Sequence, residues 1–163
     1  MSRLDSVIRR LEAQRKCLGA AAGEIANTDG VVFELGLGNG RTFDHLRELL
    51  PDREIFVFDR NVAAHPSCIP DDNHLFLGEF QQTLVDVSER FAGQCALVHA
   101  DVGTGVEGSS RSMARFLSEI LEPFLKNGAI VASDQMFNIA GCEALPLPAG
   151  VAPNRYFLLK KIR

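Results

Sequence analysis

Between residues 31 and 133 short apolar runs alternate with amphipathic segments, and few folds accommodate that order. Val31–Leu35, Glu54–Asp59, Leu75–Gly78, Cys95–Ala100 and Ala129–Ser133 are rich in β-branched and aromatic residues. Continuous apolar runs of this length suit strands buried on both faces. The segments between them have helical periodicity. Phe43, Leu46 and Leu50 share a face, as do Phe80, Leu84, Val87 and Phe91. Met113, Phe116, Leu117, Ile120, Leu121 and Phe124 give the clearest stripe, and Asn127-Gly128 is expected to end that helix. Pro66 and Pro70 allow only a short helix within 61–73. Repeated strand–helix–strand units predict an α/β fold, a doubly wound and mostly parallel sheet with helices on both faces. Glu143–Leu147 and Tyr156–Ile162 predict a short antiparallel C-terminal hairpin at its edge.

Ahead of this core, Leu4, Leu11, Leu18 and Ile25 recur at heptad spacing, which predicts helix over residues 1–27. Gly19 and Gly23 weaken it, so two helices or one bent helix are both compatible with the pattern. At 163 residues the chain is expected to form one domain, 1–163. Within it lie the helical segment 1–27, the core 31–134 and the strand pair 142–163. The apolar stripe must be covered by its own domain or by a partner subunit, which leaves a homo-oligomer open. Arg3, Arg9, Arg10, Arg15 and Lys16 outnumber Asp5 and Glu12 in residues 1–16, although the whole chain is net −4. That acidic balance argues against general nucleic-acid binding. No apolar run approaches a membrane span, and the charged N-terminus does not resemble a secretory signal. Cys17, Cys68, Cys95 and Cys142 have no CxxC spacing, so neither a disulfide framework nor a metal site is indicated. Cys95 opens an apolar run and is expected to be buried, and the expected compartment is the cytoplasm.

In an open parallel sheet, ligands sit beyond the carboxyl ends of the strands. At the end of the first strand stands Glu34-Leu35-Gly36-Leu37-Gly38-Asn39-Gly40, three alternate glycines between a strand and a helix. Glycine lets a ligand approach the backbone, and the helix start behind it suits an anionic group. A dinucleotide fingerprint would need glycine at position 41, which is Arg41, and Glu34 would lie close to a pyrophosphate. A ligand with an amino and a carboxylate end fits this loop better than one with two phosphates.

These residues resemble the first motif of the seven-strand, Rossmann-like S-adenosylmethionine-dependent methyltransferases, E/D-x-G-x-G-x-G. Glu34, Gly36, Gly38 and Gly40 match it, with Leu37 and Asn39 between them. The resemblance covers about residues 30–134 and is especially to a small bacterial family of this size. It implies S-adenosylmethionine as cofactor and methyl transfer as the activity. It further implies that Asp59, ending the second strand with Arg60 beside it, meets the ribose hydroxyls. Glu79 and Phe80 would stand at the adenine edge, and Asp101 near the methionine end. The helix before the first strand commonly roofs the cofactor in this family. The segment Asp134–Gly141 is too short for the helix the family usually inserts there, and the N/D-P-P-Y/F tetrapeptide of many amino-directed members is absent after strand four.

Methyl transfer from a sulfonium is an in-line displacement whose leaving group departs neutral, so alignment matters more than charge stabilisation. An acceptor hydroxyl or ammonium also needs a base, for which Asp101, His99 and Asp134 are the candidates. His99 stands one residue before the strand end, where a role in sheet packing is the commoner one. The acceptor is expected to be a small molecule. A non-catalytic cofactor-binding protein and an NAD-linked oxidoreductase are the competing functions.

Overall fold

The structure is a computed structural model and describes residues 2–103 and 107–163. Parallel strands β1 (Val31–Leu35), β2 (Ile55–Asp59), β3 (Leu75–Leu77), β4 (Cys95–Ala100) and β5 (Leu125–Ser133) carry the core. The chain then forms β6 (Cys142–Ala144) and β7 (Phe157–Lys161), each antiparallel to its neighbours. Among the described residues one seven-stranded sheet results, in the order β3-β2-β1-β4-β5-β7-β6. Strand order reverses between β1 and β4, so the crevice for a ligand opens beyond their carboxyl ends.

Alternation along the buried strands sends side chains to two cores. Phe33, Leu35, Phe56, Phe58 and Val98 face α3 (Phe80–Asp86), α4 (Ser88–Phe91) and α5 (Glu107–Ile120). Phe33 packs on Phe58, Phe91 and Phe124 with ring centroids 5.0, 5.3 and 5.4 Å away. Val32, Val57, Leu97 and Ile130 point the other way, toward α1 (Arg3–Glu24) and α2 (Arg41–Leu49). Glu34 and His99 fall on this second face and are register partners across β1 and β4.

α1 runs unbroken through Gly19 and Gly23 and starts at a reciprocal Ser2–Asp5 capping box. Its heptad stripe is covered only in part. Leu18 and Ile25 are fully buried, whereas Leu4, Val7 and Ile8 are exposed. The expected helix from Phe80 to Phe91 is two short helices that meet at Val87. The helix expected to reach Asn127 stops at Ile120, because Pro123 redirects the chain into a 3₁₀ turn at Glu122–Phe124. β5 therefore begins earlier, at Leu125, and Asn127-Gly128 sits in the register shift between Cys95 and Leu97 pairing. After β4, residues 104–106 lie outside the described residues, and the chain is helical from Glu107. The link from β5 to β6 contains no helix, as its length required. Among the described residues no helix is long and apolar enough to cross a membrane. Cys95 is buried, which pushes its thiol up to about 12, and all four cysteines are free thiols.

Candidate functional site

The glycine loop joins β1 to α2, and Asp59 at the tip of β2 braces it. Leu37 N–H and Gly38 N–H donate to Asp59 Oδ2 at 2.7 and 3.1 Å, and Asn61 N–H donates to Oδ1 at 3.3 Å. Two loop amides that a dinucleotide fold would aim at a pyrophosphate are thus occupied by a carboxylate. That arrangement repels phosphate and leaves Asp59 at the edge of the crevice, half-buried.

The three glycines have different neighbours. A β-carbon on Gly36 would stand 3.1 Å from the Asp101 carbonyl, so β1 and β4 approach closely there. Gly38 is exposed, has φ +52° and would meet nothing within 4 Å. Gly40 has φ +83° and is buried, and its β-carbon would lie 2.5 Å from Cys68 Cβ and 3.0 Å from Ala64 Cβ. Gly38 thus faces open space, whereas Gly40 is fixed by packing against the segment that follows β2.

α1 crosses above this loop. Gln14 Nε2 and Arg10 Nη1 donate to Asp101 Oδ2 at 2.8 and 3.1 Å. A cavity of about 260 Å³ lies between them, lined by Arg10, Gln14, Gly36, Gly38, Asn39 and Asp101 among others. It offers charges of both signs, with Arg41 also on its wall. A zwitterionic amino-acid group, such as the methionine end of S-adenosylmethionine, fits that donor set. Arg10 is the member of the basic helical face that enters the site. Lys16 instead donates to the Ala149 carbonyl at 3.1 Å, and Arg9 and Arg15 are exposed.

Beyond β2 and β3, Gly78 N–H donates to the Asp59 carbonyl at 2.9 Å, which sets Glu79 and Phe80 near Asp59 and Arg60. Arg60 Nη1 is 3.9 Å from Glu79 Oε1, both exposed. Glu79 occupies the N-cap position of α3 without a side-chain capping bond, and Phe80 packs half-buried on the core.

Of the three candidate bases, two border open space and one does not. Asp134 is gripped by Val102 N–H and Gly103 N–H at 3.1 and 3.0 Å. Burial, then the Asp101 charge, raises its pKa above the ordinary carboxylate range. It faces a second cavity of about 580 Å³, lined also by Glu107, Ser110, Arg111, Gln135 and Met136. Gly103 lines both cavities. His99 is fully buried, with Nδ1 2.6 Å from Glu34 Oε2 and Nε2 hydrogen-bonded to the Tyr156 hydroxyl. Glu34 is likewise fully buried, and its other oxygen accepts from the Thr42 hydroxyl. The motif resemblance set Glu34 at the ligand, but the alternation of β1 turns it inward, beneath the loop. Thr42, Gln14 and Tyr156 were not among the sequence candidates. Tyr156 is the chain's one tyrosine, placed just before an apolar strand, and that was its only signal.

Comparison with known proteins identifies the family. The family described as S-adenosyl-L-methionine methyltransferase matches residues 1–161. An S-adenosyl-L-methionine methyl transferase structure from Silicibacter pomeroyi DSS-3 is 42% identical, covers 99% of both chains and superposes with a TM-score of 0.93. The antibiotic-resistance methyltransferase Kmr (12% identity, TM-score 0.56, 86% of this chain and 90% of that one) shares the fold. So does the SAH-bound Podospora anserina methyltransferase PaMTH1 (13% identity, TM-score 0.55, 100% of this chain and 80% of that one). A comparison with curated sequences gives no match. The chain belongs to the S-adenosyl-L-methionine methyltransferase family and is a methyltransferase whose cofactor is S-adenosylmethionine.

Proposed function

We propose that this enzyme methylates a small-molecule acceptor held in the cavity beside Asp134, with the cofactor's methionine end in the cavity under α1. The observation that carries this reading is the meeting of the two cavities at Gly103, flanked by Asp101 and Asp134. Gly36, Leu37, Gly38 and Asn39 would hold the methionine end of the cofactor. Asp59 would hold the ribose, with Arg60, Glu79 and Phe80 toward the adenine. Glu34 and Gly40 support the same loop from beneath and behind.

When bound, S-adenosylmethionine supplies an electrophilic methyl group on a sulfonium and leaves as neutral S-adenosylhomocysteine. Arg10 and Gln14 orient Asp101, and α1 excludes water from one side of the crevice. Asp134 accepts the acceptor's proton, a role suited by its raised pKa. His99, closed off from both cavities, does not fill that role. The test is release of S-adenosylhomocysteine across a panel of small hydroxyl, amine and thiol acceptors. Turnover with one class, reduced about 10²–10⁴-fold in Asp134→Asn, supports the assignment. Turnover only with protein or nucleic-acid acceptors, or full activity in Asp134→Asn, refutes it.

A further inference from the structure

Beneath α1 lies a line of polar side chains that packing alone does not require. Glu34 and His99 are fully buried and Tyr156 is 1% exposed. Thr42, in the first turn of α2, donates its hydroxyl to Glu34, and Glu34 meets His99 Nδ1. His99 Nε2 meets the Tyr156 hydroxyl, and the Gln14 side chain lies close enough to that hydroxyl to act on its titration. Gln14 in turn donates to Asp101. Among the described residues no buried side-chain nitrogen or oxygen lacks a partner. Apolar side chains of similar volume often serve stability as well as or better than such a network. The line has two functional ends, one at the helix behind the glycine loop and the other at Asp101 in the cavity wall.

We propose that His99 and Tyr156 are positioning residues, and that the line from Glu34 through His99 and Tyr156 to Gln14 sets where α1 holds Asp101 over the cofactor cavity. The inference rests on the cofactor occupying that cavity. Hydrogen-bond direction gives it a mechanism. With His99 neutral, Gln14 donates one N–H to Asp101 and the other to the Tyr156 oxygen. Tyr156 donates to Nε2, and Nδ1–H donates to Glu34, so every donor points the same way. A proton on Nε2 makes it a donor, and the Tyr156 hydroxyl must then turn toward Gln14. The amide meets it only by presenting its oxygen, which withdraws its N–H from Asp101. The charged groups facing His99 are Glu34 from β1, Asp101 after β4 and Asp134 after β5, with Arg10 of α1 on Asp101. Burial opposes a charged His99, but the three carboxylates, Glu34 foremost, outweigh it and raise the imidazole above its ordinary value.

The experiment is calorimetric titration of S-adenosylhomocysteine into wild type, Tyr156→Phe, Gln14→Met and the double variant across a pH series running upward from the ordinary imidazole value of about 6.5. Each single change is expected to weaken binding about three- to tenfold, the worth of one hydrogen bond. The double variant is expected to match Gln14→Met, since the two act through one line. Affinity should rise with pH through the His99 titration in wild type, and that step should vanish in Tyr156→Phe. Additive losses, or a step that persists in Tyr156→Phe, overturn the positioning role alone. Wild type that does not bind S-adenosylhomocysteine overturns the cofactor placement itself. Should Tyr156→Phe not fold, the imidazole ¹⁵N titration of His99 in wild type decides. Its midpoint must shift when S-adenosylhomocysteine binds, and an unmoved midpoint refutes the coupling.

Discussion

Gly38 and Gly40 are two residues apart in one loop, yet substitution should separate binding from stability. In Gly40→Ala the new methyl would stand 2.5 Å from Cys68 Cβ, 2.9 Å from the Cys68 carbonyl oxygen and 3.0 Å from Ala64 Cβ. None of these is the tip of a flexible side chain, so the backbone after β2 must move, at about 1–3 kcal/mol. The left-handed φ of +83° adds about 1–2 kcal/mol for any side chain. Together these predict a loss of about 2–5 kcal/mol, or roughly 5–20 °C in Tm for a chain of this size. Gly38→Ala meets no atom within 4 Å and carries only the φ term, about 1–2 kcal/mol or roughly 2–8 °C. Affinity should order them the other way. Gly38→Val places a branched side chain in the cavity and should abolish S-adenosylhomocysteine binding, whereas folded Gly40→Ala should keep it within a few-fold. Urea melts and calorimetry on the same samples measure both. Equal stability losses at the two positions, or wild-type affinity in Gly38→Val, would refute the reasoning.

Asp59→Ala removes the acceptor for the Leu37 and Gly38 amides and should weaken S-adenosylhomocysteine binding by about 1–3 kcal/mol while the fold survives. Unchanged calorimetric affinity in a folded variant would count against Asp59 as a ligand group. Arg10→Ala breaks a partly exposed ion pair, so stability should change by only about 0–1 kcal/mol. Its affinity for S-adenosylhomocysteine should fall nonetheless, and a change in Tm without a change in affinity would contradict that. Asp134 titrates above its unfolded value of about 3.9. Such a carboxyl adds stability below that value and loses it as pH rises through the folded value. Urea midpoints should therefore fall with rising pH in wild type relative to Asp134→Asn, whereas parallel profiles would show no such linkage.

Strand positions were legible because each buried strand is a short apolar run closed by a turn, as at Val31–Leu35 and Cys95–Ala100. The terminal hairpin followed from Tyr156–Ile162 for the same reason. Asn127-Gly128 misled because it is turn chemistry spent on a strand irregularity, while Pro123 had already ended the helix. Gly19 and Gly23 left α1 unbroken because burial of Cys17, Leu18 and Ala21 outweighs local propensity. The cavity-lining residues Gly36, Gly38 and Asp101 follow from strand order, which any parallel sheet imposes. The inward turn of Glu34 was implicit in period-two alternation, but its partner was not. His99 meets Glu34 across 65 residues and Tyr156 across 57, and Gln14 meets Asp101 across 87; no local pattern encodes such distances.

The central claim is that the cofactor sits beyond the carboxyl ends of β1 and β4, under α1. A larger open cavity of about 540 Å³ lies elsewhere, lined by Arg47, Arg53, Ile55, Asp71 and His74. Amide chemical-shift mapping with S-adenosylhomocysteine separates the two sites directly. The account predicts shifts at Gln14, Gly36, Gly38, Asp59 and Asp101, with Arg53, Asp71 and His74 unmoved. Shifts centred on Arg53 and His74, with the glycine loop silent, would contradict it.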